Sequence, residues 1–211
     1  AMLYLYSAAT DLARLKHDAA LAELMRRKWT NVVSRKLYLT GGLGHSRHSE
    51  GFAADYDLPN DSAYCETCAA IANVFWQQRL FLASGDAACV DVLERSLYNN
   101  VLSGLALSGD RFFYVNPLSS GKDYQRSQWF GCPCCPVNLV RLIPRVGDYF
   151  YATQGDEVFV NLFAAGRARL RLPAGELVLR QDTPYPLEGA VRIGIAAAPA
   201  APVALRIRIP G

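Results

Sequence analysis

Five of the six cysteines of this chain fall into two short runs, Cys65-Glu66-Thr67-Cys68 and Cys132-Pro133-Cys134-Cys135. Paired thiols at this spacing are a strong metal-site signal. An ion held by both runs would close the interval between them, Ala69 to Gly131, into one loop, and that limits the folds open to the chain. The rival reading is three disulfides, which suits small secreted domains without a core. Here 51% of the 211 residues are hydrophobic, enough to bury a core without staples. Adjacent Cys134 and Cys135 also lack the separation that disulfide geometry requires. Metal binding is the reading the cysteines favour.

With 19% charged residues and a net charge of +3, the composition is that of a folded globular chain. The tight basic cluster, Arg26-Arg27-Lys28, reads as a solvated helix face, so no nucleic-acid partner is expected. No apolar run approaches the roughly 20 residues of a membrane span. No basic, apolar and small-residue leader opens the chain, so the expected location is cytoplasmic. Both ends nevertheless read as cut. The chain starts on an apolar helical pattern, AMLYLYSAATDLARL, and closes on strand-like ALRIRIPG.

The hydrophobic period changes near residue 152. Before it, apolar residues at three- and four-residue spacing predict helices over 2–15 and 17–37. A glycine-rich stretch, Gly41 to Asp61, then reads as a long functional loop. Asn60 or Asp61 is expected to cap a helix over 62–83 ended by Gly85, and Asp86 to cap another running to about Ser103. Two short strands, 104–107 and 111–115, are expected around Ser108-Gly109-Asp110. A second long loop, 116–133, precedes a helix over 134–151. Beyond 152 five runs of period two, 157–163, 167–172, 176–181, 190–196 and 203–209, read as part of a β-sandwich.

Spacing leaves the donor set open. A structural four-cysteine ribbon would use Cys65, Cys68, Cys132 and Cys135, yet neither run has the glycines and turns of a ribbon knuckle. A mixed set would include Glu66, but Glu66 and Cys68, two residues apart, point to different sides of a regular helix. Glu50, between Ser49 and Gly51 with Phe52 beside it, is a candidate general acid, with an exposed loop charge as the alternative. Trp129, flanked by Gln128 and Phe130, is the aromatic favoured to line a site. His45 and His48 read as surface or supporting groups, and Cys89 as a buried apolar filler.

The segments TGGLGHSRHSEGFAADYDLPNDSAYCETCA, FFYVNPL and QWFGCPCCPVNLVRLI resemble the signature segments of the glycoside hydrolase family of zinc-dependent β-L-arabinofuranosidases. The resemblance runs over essentially the whole chain but covers only part of a much longer family protein. It implies a mainly α chain followed by β: the second half of an (α/α)6 barrel, or toroid, over 1–152, and the opening strands of a β-sandwich over 153–211. By position it implies Glu66, Cys68, Cys134 and Cys135 as the ligands of one Zn2+ ion. It further implies Cys134 as nucleophile, Glu50 as acid/base and Tyr114 as a sugar contact. Cys65 and Cys132 then fall outside the ligand set.

Chemically, zinc coordination deprotonates a thiol and so activates a nucleophile that is weak at neutral pH. Attack by Cys134 with proton transfer from Glu50 gives the two-step retaining scheme, with sulfur in the place of the usual carboxylate. The expected partner is a carbohydrate. The alternative is a non-catalytic zinc-stabilised helical module. Half of a toroid would leave apolar faces uncovered, so these 211 residues alone are expected to self-associate as a homo-oligomer or be marginally stable, with little hydrolase activity.

Overall fold

The computed structural model describes residues 2–211. The chain divides into two compact units, one ending at Pro144 and the other spanning Arg145–Gly211. No helix among the described residues is long and apolar enough to cross a membrane.

The first unit is helical: α1 (Met2–Lys16), α2 (Ala19–Arg35), α3 (Thr67–Ser84), α4 (Ala87–Ser96) and α5 (Cys134–Leu142). The turn between α1 and α2 places His17 at φ +53, and Asp18 caps α2 by accepting from Leu21 N at 3.0 Å. Gly85, at φ +72, closes α3, and Asp86 caps α4 through Ala88 N at 2.9 Å.

Helix α3 is the hub, packed against α1, α4 and α5. Its sequence is apolar nearly all round, and Ala70 through Gln77 are all buried. Two of its buried polar residues, Asn73 and Gln77, are satisfied in series. Trp29 Nε1 donates to Gln77 Oε1 at 2.7 Å, and Gln77 Nε2 to Asn73 Oδ1 at 2.9 Å. Asn73 Nδ2 donates to Ser96 Oγ at 2.9 Å, which donates to the Gly41 carbonyl at 2.9 Å. This buried chain ties the glycine-rich loop to α2, α3 and α4. Gly41 sits at φ +77, and a Cβ there would come within 2.7 Å of Ser96 N, so the approach requires glycine.

The loop is also anchored at its far side. Asp55 pairs with Lys36 Nζ at 2.7 Å and with Arg35 at 2.6 Å, and Lys36 Nζ donates to the Ala53 carbonyl at 2.6 Å.

Five elements differ from the sequence expectation. Helix α3 starts at Thr67, not Ser62, because Cys65 adopts φ +34 and Asn116 Nδ2 donates to the Cys65 carbonyl at 2.9 Å. The expected strands 104–107 and 111–115 are irregular chain joined by isolated bridges, Leu105 with Phe112 and Phe112 with Ser127. Helix α5 gives way to a 3-10 helix after Leu142, while α4 passes into one π-helical turn (Leu97–Val101) and a 3-10 turn (Leu102–Gly104).

The second unit holds two three-stranded sheets. One has the order β1 (Tyr151–Gln154), β2 (Glu157–Val160), β6 (Ala204–Ile207), with β2 and β6 parallel. The other has the order β3 (Gly166–Leu172), β4 (Gly175–Asp182), β5 (Arg192–Ala197), all antiparallel. Val158 and Val160 of β2 share a core with Leu172, Leu177 and Leu179 of β3 and β4. In β2 the period of two is the alternation of its buried face, whereas β4 buries Leu177, Val178 and Leu179 in succession.

Candidate metal centre

Four of the residues singled out in the sequence converge. One donor atom each from Glu66, Cys68, Cys134 and Cys135 lie within 4.8 Å of one another. The local backbone explains how. Glu66 occupies the N-cap position of α3 in an extended conformation, and its side chain makes no capping bond. It therefore stands outside the helix, while Cys68 lies in the first turn, which removes the objection that residues two apart diverge. Cys134 and Cys135 open α5 behind Pro133, which offers no side-chain cap. The donors thus gather at two uncapped helix N-termini, where the backbone dipoles favour anionic sulfur.

The spacing fits a tetrahedral ion. Cys134 Sγ and Cys135 Sγ are 3.8 Å apart, and each is 3.7 Å from Glu66 Oε1. Zinc–sulfur bonds of about 2.3 Å in a tetrahedron set neighbouring sulfurs about 3.8 Å apart. One carboxylate and three thiols are a borderline-soft donor set that suits zinc. Cys68 and Cys135 are buried, whereas Cys134 is half-buried and is the more accessible sulfur.

Protonation points the same way. Without an ion, the hydrogen bond from the Cys135 thiol draws the Cys68 pKa down. Burial pushes Cys134 up to about 12, and the bond to Cys68 pushes Cys135 up. Three thiols in this space cannot all ionise unless a cation sits among them.

Tyr114 completes the cluster. The Cys134 thiol donates to its hydroxyl at 3.1 Å, and the bond reverses when the sulfur is ionised, which raises the phenol's pKa. Tyr114 is fixed by its backbone: its carbonyl accepts from Thr67 N at 2.9 Å, and Asn116 Nδ2 donates to Thr67 Oγ1 at 3.0 Å. Phe130 packs edge-on against its ring with centroids 5.5 Å apart.

The other candidates lie further out. Glu50, at φ +47 in the glycine-rich loop, accepts from Tyr64 Oη at 3.3 Å. Trp129 is exposed and meets Phe112 edge-on. His45 pairs with Asp57 at 3.1 Å. Cys132 is exposed, and Cys65 is fully buried with Tyr38 and Ala63, so neither belongs to the cluster. Cys89 is buried, and burial holds its thiol up at about 12.

Two supporting residues escaped the sequence reading. Tyr4 Oη donates to the Cys68 carbonyl at 3.4 Å, and Asn138 Nδ2 donates to Tyr4 Oη. Asn138 lies one turn after Cys134 on α5, a spacing that would have flagged it; Tyr4, at the other end of the unit, carried no such signal.

A helical unit with a carboxylate-and-thiol cluster able to hold a metal ion at paired helix N-termini, followed by a strand unit, defines the class of protein. Residues 6–148 match the family profile described as "Beta-L-arabinofuranosidase, GH127 catalytic domain", and residues 157–211 match "Beta-L-arabinofuranosidase, GH127 middle domain". The chain belongs to the GH127 family. It is 35% identical over 224 residues to a non-reducing end β-L-arabinofuranosidase of Bifidobacterium longum subsp. longum, covering 99% of this chain and 34% of that one. A solved GH127 β-arabinofuranosidase superposes with a TM-score of 0.96 at 46% identity, over 99% of this chain and 33% of its own. A GH127 β-L-arabinofuranosidase from Geobacillus stearothermophilus T6 does so with 0.93 at 40% identity, over 99% and 35%. The chain spans about a third of the length of these relatives, as the 34%, 33% and 35% coverages state.

Proposed function

We propose that this chain carries the metal-holding and reacting groups of a retaining glycoside hydrolase acting on β-L-arabinofuranosides or related furanosides. The observation that carries the reading is the four-donor cluster in which Cys134 is the more exposed thiol and sits 3.1 Å from Tyr114. Residues 1–152 are read as half of an (α/α)6 catalytic barrel, and 153–211 as the opening strands of a β-sandwich.

Glu66, Cys68, Cys134 and Cys135 would hold one zinc ion. Bound there, the ion would keep the thiols ionised near neutral pH. The Cys134 sulfur attacks the anomeric carbon, and a carbon–sulfur bond forms as the glycosidic carbon–oxygen bond breaks. Glu50 gives its proton to the departing oxygen. Water then attacks the same carbon, its proton passes to the Glu50 carboxylate, and the carbon–sulfur bond breaks to restore the Cys134 thiolate. Two inversions retain configuration. Tyr114 steadies the sulfur through its hydroxyl and contacts the sugar, and Trp129 offers a stacking face.

The test is trapping. A furanosyl haloacetamide should label Cys134, located by mass spectrometry, in the full-length metal-loaded protein. Wild-type turnover in Cys134→Ala would overturn the proposal and leave the cluster a structural zinc site.

A further inference from the structure

We propose that Tyr64 is a positioning residue, which holds Glu50 at the reacting centre and links the acid/base carboxylate to the nucleophile's hydroxyl partner. This rests on the roles given above to Glu50 and Cys134.

Glu50 is poorly placed to orient itself. It is exposed, it lies in a long loop, and its backbone is left-handed at φ +47. Its backbone N–H is spent on the Ser46 carbonyl at 3.0 Å. Among the described residues, the side-chain bond given to its carboxylate comes from Tyr64 Oη, at 3.3 Å.

Tyr64 is the opposite case. It is buried, 5% exposed, and its backbone is held from two sides. Its N–H donates to the Gly44 carbonyl at 3.1 Å, which secures the loop that carries Glu50. Its own carbonyl accepts from Asn116 N at 3.3 Å, which secures the segment that carries Tyr114. A Cβ on Gly44 would stand 3.4 Å from the Tyr64 ring, so the loop lies directly on that ring.

The ring also faces the second tyrosine. The Tyr64 and Tyr114 centroids are 6.3 Å apart at 55°, and Tyr114 Oη reaches the Cys134 sulfur at 3.1 Å. Tyr64 precedes Glu66 by two residues, so one short segment supplies both a metal donor and the group that aims the acid. A rigid residue that fixes both separates the carboxylate from the sulfur by a set distance, as a two-group mechanism needs.

The experiment is a leaving-group comparison on the full-length, metal-loaded protein. Tyr64→Phe keeps the ring and removes the bond. A general acid matters most when the departing oxygen is basic. Tyr64→Phe should therefore lower kcat/KM, which reports the first, acid-assisted step, by on the order of tenfold for an alkyl furanoside, the loss expected for one hydrogen bond to a charged group. It should leave kcat/KM for a nitrophenyl furanoside within about twofold, with metal content unchanged, because the departing nitrophenolate needs little help. Glu50→Gln should show the same split in kcat/KM, larger. Equal rates for Tyr64→Phe and wild type on both substrates, with Glu50→Gln still split, overturn the role of Tyr64 alone. No split in Glu50→Gln overturns the reading of Glu50. Loss of the metal in Tyr64→Phe also overturns the proposal, because Tyr64 would then act through the fold.

Discussion

Glu66 and Cys134 are 68 positions apart in the chain, and their Oε1 and Sγ atoms are 3.7 Å apart in space. That closure is made by packing α5 against α3, and it places a carboxylate among three thiols.

The donor count can be read by thiol titration. Zinc loading is expected to protect three cysteines, Cys68, Cys134 and Cys135. In the native loaded protein Cys132, the exposed one, should react at once with a thiol reagent, because Cys65 and Cys89 are buried and their pKa values are pushed up to about 12. Four protected thiols per zinc would mark the ribbon of two cysteine pairs instead.

Metal loading should release protons. Burial raises Cys134 to about 12 and its bond to Cys68 raises Cys135, so both carry protons near neutral pH, and an ion must displace them. Apparent affinity should therefore rise as pH rises through the neutral range and weaken on acidification. Calorimetry of zinc binding in buffers of different ionisation enthalpy measures the proton count. An affinity that does not change with pH would contradict it.

The acid/base role gives a rate. Glu50→Gln should lower kcat for a furanoside with a basic leaving group by about 10² to 10⁴, the usual contribution of a positioned acid. Metal content, measured by elemental analysis, should stay at the wild-type level.

The loop anchor gives a pH window. Lys36 and Arg35 hold the Asp55 carboxyl down from 3.8 to about 2. A depressed folded-state pKa adds stability that is present above about 3.8 and lost as pH falls toward 2. Hydrogen exchange over residues 41–61 should quicken across that window, and Asp55→Asn should show the quickened exchange at neutral pH.

The hub gives a stability. Trp76 is fully buried on α3 and donates to Thr10 Oγ1 at 3.1 Å. Trp76→Ala should cost about 3–5 kcal/mol by urea titration, through the cavity and the lost hydrogen bond, while the Thr10 hydroxyl keeps its bond to the Tyr6 carbonyl at 2.8 Å. Trp76→Phe should cost less.

What the sequence determined by itself is what local chemistry controls. The change from a period near four to a period of two separated the helices from the strands. Asp18 and Asp86 capped α2 and α4, and Gly85 ended α3, because each acts within one turn of its own position. The cysteine runs pointed to the neighbourhood of a cluster that could hold a metal ion, because three of its four donors are cysteines of those runs.

Tertiary structure decided which donors meet. Cys65 and Cys68 look equivalent in the sequence, yet the left-handed backbone at Cys65 and the Asn116 side chain delay α3 until Thr67. Cys65 is thereby turned into the core, and Glu66 is left free of the helix to face Cys134 and Cys135. The placement of Tyr64 between Glu50 and Tyr114 is equally non-local. It depends on three segments crossing at one buried ring, a relation that no spacing along the chain encodes.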